Sequence, residues 1–117
     1  MAEKVETVYG RLRRLAAEAN LPGIEESTSY GNPALKVGGK TIVAVKDSET
    51  VVLSISIDDK ERLIEMAPEI YYQTDHYVGW PHLPLRIDVI ADAELKERLI
   101  GAWLFRAPKK LAAGFRR

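Results

Sequence analysis

The stretch ALKVGGKTIVAV, Ala34 to Val45, decides the fold. Two apolar segments rich in β-branched residues, LKV and TIVAV, flank the pair Gly38-Gly39, and such segments are typical of β-strands. A two-residue hairpin turn needs positive φ at its central positions, which glycine adopts at little cost. The stretch therefore predicts two antiparallel strands joined by a tight turn.

The turn also sets the register of this hairpin. If Val37 pairs with Lys40, then Lys36 pairs with Thr41, and the two lysines emerge on opposite faces. We expect the core face to be lined by Leu35, Val37, Ile42 and Ala44. Lysines near a hairpin tip either remain in solvent and protect the strand edge from pairing with another chain, or contact nucleic-acid phosphates.

The same letters match the spacing of a phosphate-binding loop. Ala34 precedes Gly39-Lys40-Thr41 at the interval that this motif requires. In a true phosphate loop the Lys-Thr pair opens a helix, whose N-terminus cradles the phosphate. Here Thr41 begins a strand pattern, and 117 residues are few for a doubly wound nucleotide-binding fold. We interpret the match as a coincidence.

Helix and strand patterns alternate outside the hairpin. Residues 3–20 predict an amphipathic helix ended by Asn20 and Pro22, with a buried stripe of Val5, Tyr9, Leu12, Ala16 and Ala19. The stretch ESTSY is the position of a further short strand. After the turn KDSET, TVVLSISI predicts a strand with Leu53, Ile55 and Ile57 on its buried face.

The second half predicts a helix, a strand and a last helix. Asp58 and Glu61 indicate the capping box of a short helix that ends at Pro68. The expected inward residues are Leu63, Ile64 and Ala67 in that helix, Leu85, Ile87 and Val89 in the strand LPLRIDVI, and Leu95, Leu99, Ala102 and Trp103 in a last helix capped by Asp92. The order α-β-β-β(-β)-α-β-α predicts one α+β domain over 1–117, a two-layer sandwich of an antiparallel sheet with helices on one face.

Composition narrows the function classes. Seventeen basic and seventeen acidic residues give zero net charge, which is not typical of a dedicated nucleic-acid binder. The absence of cysteine excludes disulfides and thiol chemistry. No apolar run resembles a signal peptide or a membrane span. We expect a soluble, cytoplasmic protein.

The charge is nevertheless uneven along the chain. Residues 1–75 hold nine basic and thirteen acidic residues, a net charge of −4, whereas residues 76–117 hold eight and four, a net charge of +4. The segment from Arg106 to Arg117 has five basic residues and no acidic one. Such an end either binds an acidic partner or complements the negative end of a closing helix.

The segment IYYQTDHYVGWPH, Ile70 to His82, is predicted to be mostly loop. Its aromatic residues either stack on nucleic-acid bases or pin the loop to the sheet; they are Tyr71, Tyr72, Tyr77 and Trp80. His76 and His82 have no third metal ligand at a fixed spacing, so we expect no metal site. No motif for a nucleophile or an acid-base pair stands out, and we expect no cofactor and no enzymatic activity.

Three blocks together resemble the MmcQ/YjbR family of small bacterial proteins. They are YGNPALKVGGK (Tyr30 to Lys40), APEIYYQTDHYVGWPHLPLRID (Ala67 to Asp88) and AWLFRAPKKL (Ala102 to Leu111). The resemblance implies a CyaY-like fold, and a DNA-binding label that derives from the likeness of this fold to a double-wing DNA-binding domain. Fold alone does not fix function. Pro84 departs from the family pattern, which favours a β-branched residue there.

Two functions remain open on these residues. The first is DNA binding through a basic β-ribbon and the basic C-terminal region, with phosphate contacts from Lys36, Lys40, Lys46, Arg86, Lys109 and Lys110 and the aromatic loop nearby. The alternative is a protein-interaction or small-ligand module that uses the aromatic loop and a sheet face. One continuous basic face would favour DNA, and basic groups scattered among carboxylates would favour the alternative.

Overall fold

The computed structural model describes residues 2–115. Its elements, in chain order, are α1 (Ala2–Glu18), β1 (Ile24–Ser29), β2 (Asn32–Val37), β3 (Lys40–Val45), β4 (Thr50–Ser54), α2 (Ile57–Met66), β5 (His82–Arg86), α3 (Asp92–Arg106) and α4 (Lys109–Ala113). The strands form one antiparallel sheet in the order β1-β2-β3-β4-β5. This confirms the α+β prediction, with the further strand at ESTSY present as β1. Among residues 2–115, no helix is both long and apolar enough to cross a bilayer.

The turn between β2 and β3 is the predicted one. Gly38 and Gly39 have φ values of 57° and 79°, a combination that favours glycine at both positions. The two predicted pairs are present, Val37 opposite Lys40 and Lys36 opposite Thr41. Lys40 and Thr41 therefore begin a strand and not a helix, so the segment is not a phosphate-binding loop.

The predicted core face was wrong at Ala44. A β-bulge shifts the register, so that Leu35 pairs with Val43 instead of Ile42. The extra residue reverses the alternation of side chains beyond it. Val43 and Val45 are therefore buried in the core, and Ala44 is half-buried on the other face.

Helices α1 and α3 cover the middle of the sheet, against β2, β3 and β4. The inward residues predicted for the last helix are all buried: Leu95, Leu99, Ala102 and Trp103. The Trp103 indole donates a hydrogen bond to the Pro22 carbonyl oxygen at 2.8 Å, which ties α3 to the segment after α1. Each fully buried large apolar side chain contributes about 1.5 to 3 kcal/mol to folding, so this layer dominates the stability.

The strand β4 is shorter than predicted, and its end starts a helix. Ser56 is the N-cap of α2, because its hydroxyl oxygen accepts a hydrogen bond from the Asp59 backbone N–H. The predicted cap, Asp58, lies in the first turn instead. Ile57, expected in the core, is 42% exposed at the start of α2. A serine that alternates with apolar residues in sequence can therefore still be a cap.

The buried residue of α2 was also unexpected. Lys60 is only 2% exposed, whereas the predicted stripe of Leu63, Ile64 and Ala67 is partly buried against the core. This helix lies over β5 at the margin of the sheet. Its apolar stripe therefore covers an edge and not the centre.

The strand β5 ends at Arg86, so Val89, expected in the core, is 55% exposed in the turn that follows. Pro84 lies within β5, and its carbonyl oxygen accepts a hydrogen bond from the Tyr72 N–H on the side away from β4. The proline nitrogen therefore costs no hydrogen bond to β4. Tyr71, which forms a bridge with Leu85, partly covers this edge.

The start of α3 corrects another prediction. Its N-cap is Ala91, which makes no side-chain capping bond, and the Asp92 carboxylate instead accepts hydrogen bonds from Arg11 and Arg14 of α1. The start of α3 therefore has ion pairs with α1 and no side-chain cap. The short helix α4 was not predicted.

Alanine substitution at the two turn glycines should have unequal effects on stability. Both Gly38→Ala and Gly39→Ala place a Cβ in the left-handed region, at about 1 kcal/mol or more each. At Gly38 the added Cβ would also lie 2.9 Å from Pro108 Cγ, whereas at Gly39 it meets nothing within 4 Å. Urea denaturation should show Gly38→Ala to be less stable than Gly39→Ala by about 1 kcal/mol. Equal losses would contradict the packing of Pro108 on the turn.

The cap of α2 is tested by a matched pair of variants. Ser56→Ala should lower the free energy of unfolding by about 1 kcal/mol, because it removes the capping hydrogen bond. Asp58→Ala removes only a first-turn charge and should cost about 0.5 kcal/mol or less at physiological salt. Thermal or urea denaturation checks the order, and a larger loss for Asp58→Ala would restore Asp58 as the cap.

Candidate functional site

The basic candidates from the C-terminal region meet the hairpin at its tip. A Cβ built on Gly38 would lie 2.9 Å from Pro108 Cγ, so the chain after α3 packs directly against the turn. Pro108 is followed at once by Lys109 and Lys110, and Lys40 flanks the turn on its other side. All three lysines are exposed. We call Lys40, Lys109 and Lys110 the tip cluster.

The lysines of the tip cluster form no ion pair with any residue in the range 4–115. Five cations of the helix layer are paired: Arg11–Asp92 (2.7 Å), Arg14–Asp92 (2.9 Å), Arg14–Glu18 (3.0 Å), Lys96–Glu18 (2.9 Å), Arg13–Glu26 (3.2 Å) and Arg62–Asp59. Hydrogen bonds from Arg14 and Arg11 lower the pKa of Asp92, and those from Lys96 and Arg14 lower the pKa of Glu18. The tip cluster therefore brings together three exposed cations that have no ion pair among residues 4–115.

The other three basic candidates lie on the sheet face opposite the helices. A row of small residues crosses this face from β2 to β5: Ala34, Ala44, Val52 and Pro84. Lys36 and Arg86 lie two residues from this row on strands β2 and β5, and Lys46 follows β3. Lys36 lies near the hairpin tip, whereas Lys46 and Arg86 lie near the opposite end of the sheet, and Lys36 has Glu25 directly opposite on β1. The six predicted residues do not form one continuous basic face, which counts against DNA binding by all six and leaves the tip cluster as the remaining basic candidate.

Arg86 holds the loop before β5 in place. Its guanidinium group lies 4.4 Å from the Tyr72 ring centroid and donates to the carbonyl oxygens of Pro68 and Glu69 at 3.2 and 3.3 Å. The Tyr72 hydroxyl is 3.0 Å from the Thr50 hydroxyl. Because these contacts use the donors of Arg86 within the protein, this residue is a poorer phosphate contact than the sequence predicts.

The aromatic candidates differ in how far their side chains are exposed. Tyr71 is fully buried, and its hydroxyl donates to the Glu94 carboxylate at 2.5 Å, so it belongs to the core. Burial and the nearby Glu94 raise its pKa. Tyr77 is half-buried, with Lys46 Nζ 5.6 Å from its ring centroid. Trp80 is 59% exposed.

Lys60 fixes the segment that carries Trp80. Its ammonium group donates to the carbonyl oxygens of Tyr77 at 2.7 Å and Trp80 at 3.0 Å. Burial lowers the pKa of Lys60. A buried lysine satisfied by carbonyl oxygens is a structural anchor, and only its position on the buried side of an amphipathic helix could have indicated it in the sequence.

Two further residues, Arg106 and His82, lie close in sequence to Pro108 and to Trp80, respectively. The Arg106 guanidinium carbon is 4.7 Å from the Phe105 ring centroid, and His82 begins β5. Burial lowers the pKa of His82, with further contributions from the positive charges of Arg106 and Lys60 and from His76. Sequence analysis did not single out Arg106, although it begins the basic C-terminal segment. Arg116 and Arg117, which end that segment, lie outside the described residues.

Within the part of the chain that the structure describes, no three carboxylate or histidine side chains cluster as a metal site would require.

Comparison with known proteins gives relatives without an assigned activity. The chain is 33% identical over 67 residues to Uncharacterized protein Mb2600 of Mycobacterium bovis and to Uncharacterized protein Rv2570 of Mycobacterium tuberculosis. The match covers 55% of this chain, and the chain spans about half, 52%, of the length of these relatives. No family model matches the chain. No solved structure matches it.

The lowered pKa of His82 predicts a pH dependence of stability. Below pH 6.5, the ordinary pKa of histidine, the unfolded chain binds a proton that the folded His82 does not yet bind. The unfolded state is favoured as pH falls through this window. Urea denaturation at pH 7.5 and 5.5 should show a loss of stability in the wild type that is reduced in His82→Gln.

The control is His76→Gln, which replaces an exposed histidine and should keep most of the wild-type loss, because His76 is the smallest contributor to the lowered pKa of His82. Glu18 and Asp92 have lowered pKa values and titrate in a more acidic range, so they do not explain a loss above pH 5. An equal loss in the wild type and His82→Gln would contradict the burial of this imidazole in its neutral form.

Proposed function

We propose that this protein is a non-enzymatic, cytoplasmic DNA-binding protein of the bacterial MmcQ/YjbR family with a CyaY-like fold. The residues proposed to contact the phosphates are those of the tip cluster, Lys40, Lys109 and Lys110. Lys36, on the sheet face opposite the helices, is proposed as a secondary phosphate contact. The α+β architecture and the three sequence blocks that resemble the family support the proposal.

One observation carries the proposed interface. The packing of Pro108 on Gly38 brings lysines that are far apart in sequence to one place, and none of them has a carboxylate partner among residues 4–115. Exposed lysines attract phosphates without a fixed geometry, which suits binding that does not depend on base sequence. Zero net charge weakens long-range attraction. We therefore expect modest affinity and clear salt dependence.

A second candidate function is a small-ligand or protein-interaction module. The observation that favours it is a groove of about 230 Å³ between α2 and α3. Its walls include the exposed apolar residues Leu104 and Phe105 together with Arg62 and Arg98. This groove lies on the helix layer, so a ligand or partner bound there would be unaffected by charge removal at the tip cluster.

The salt dependence of DNA binding tests the tip cluster. With about three phosphate contacts, the slope of log affinity against log salt should be about −2.7, and affinity should fall roughly 40-fold between 50 and 200 mM salt. In the triple variant Lys40→Gln, Lys109→Gln, Lys110→Gln, binding should be nearly lost at 50 mM salt. Fluorescence anisotropy with a labelled oligonucleotide measures both quantities.

The matched control removes three charges elsewhere, by Lys4→Gln, Lys46→Gln and Lys96→Gln. This variant has the same net charge and should keep most of the affinity and of the slope. If it binds as weakly as the tip variant, the tip is not the interface. If the wild type does not bind DNA at 50 mM salt, or binds it with no salt dependence, the DNA-binding proposal is wrong.

A further inference from the structure

An exposed indole lies at the same end of the sheet as the tip cluster. Thr41, next to Lys40, accepts a hydrogen bond at its carbonyl oxygen from the Ser54 hydroxyl at 2.7 Å. Ser54 pairs with His82, and the His82 N–H donates to the Trp80 carbonyl oxygen at 2.8 Å. These contacts lead from the hairpin tip across the ends of β4 and β5 to Trp80.

Arg106 adds positive charge near the turn and near His82. It lies two residues before Pro108, which packs on the turn, and its charge adds to the effect of burial in lowering the pKa of His82. Its Nε is hidden from solvent and has no hydrogen-bond partner within residues 4–115. No carboxylate in that range forms an ion pair with Arg106. We call Lys40, Arg106, His82 and Trp80 the end strip.

The indole is presented on a fixed backbone. Lys60 bonds to the carbonyl oxygens on both sides of the turn at Gly79, and the Trp80 N–H donates to the Tyr77 carbonyl oxygen at 3.0 Å. The Trp80 side chain is nevertheless 59% exposed. A large ring held outward in this way loses little conformational freedom when it binds a partner.

Cations beside an exposed aromatic ring suit unpaired nucleic acid. In a single strand the faces of the bases are free, so one base can stack on an indole while adjacent phosphates contact lysine and arginine. In a duplex the base faces are covered by their neighbours, and an exposed tryptophan has no base face to contact. Besides His82, the end strip also has only two basic residues, Lys40 and Arg106, and this number of cations fits the phosphates of one nucleic-acid strand better than those of a duplex.

We propose that the preferred ligand is single-stranded DNA, which lies along the end strip with a base stacked on Trp80 and its phosphates on Lys40 and Arg106. This inference rests on the proposed DNA-binding function and narrows it to one form of DNA. It adds a residue, Trp80, that phosphate contact alone does not require.

Tryptophan fluorescence tests this inference directly. The chain has two tryptophans, and Trp103 is fully buried, so quenching by a bound base reports on Trp80. Titration with a twelve-nucleotide oligo(dT) at 50 mM salt should quench the emission, and oligo(dT) should bind at least tenfold tighter than a duplex of the same length. In Trp80→Leu the quenching should disappear, and anisotropy should show affinity lowered by about fivefold or more. Trp80→Phe keeps a ring and should recover part of that loss.

Each outcome separates this inference from the proposed function. Duplex binding as tight as oligo(dT) binding, no quenching at saturation, or an unchanged affinity in Trp80→Leu overturns the single-strand inference but leaves DNA binding through the tip cluster standing. Tighter binding of oligo(U) than of oligo(dT) overturns the assignment to DNA. The absence of binding to both DNA forms in the wild type overturns the proposed function as well.

Discussion

Positive φ at both residues of the turn between β2 and β3 is the constraint on which the rest of the structure depends. This turn sets the pairing of Val37 with Lys40 and so determines which face of the hairpin joins the core. The absence of a side chain on Gly38 also leaves the space that Pro108 occupies. The C-terminal segment is seated there, beside Lys40. One local conformation therefore fixes both the register of the sheet and the position of the basic C-terminal residues.

Zero net charge conceals an orderly distribution of charge. The arginines of α1 are bonded to carboxylates of α1, β1 and α3, and these ion pairs join elements that are distant in sequence. Exposed pairs of this kind add little stability each, but they neutralise the arginines of α1. The lysines at the hairpin tip keep theirs. The local balance of charge, and not the total, distinguishes one surface of this protein from another.

The connection between α2 and β5 shows how polar side chains can order a long loop. Lys60 of α2 and Arg86 at the end of β5 both donate hydrogen bonds to backbone carbonyl oxygens of this segment. The rings of Tyr72 and Tyr77 lie against Arg86 and Lys46. Since these cations and rings contact one another, the loop needs no regular secondary structure beyond the short 3-10 helix at Asp75–Tyr77. Trp80 is left exposed on an ordered backbone.

The sequence by itself determined the class of fold, the order of the elements, the glycine turn and the inward face of α3, because these follow from periodicity and from backbone preferences within a few residues. It failed at Ser56, Asp58 and Asp92, where the choice of cap depends on where the preceding strand ends and on a neighbouring helix. It also failed at Ala44, because a bulge is set by pairing between strands.

Only the tertiary structure decided which of the predicted basic and aromatic residues act together. Lys40 and Lys109 are brought together by the packing of Pro108 on Gly38. Arg86 instead donates hydrogen bonds to the loop before β5, and Tyr71 is buried in the core. A sequence specifies the chemistry of each side chain. Its neighbours and its exposure arise from contacts between segments far apart in the chain, which no local pattern encodes.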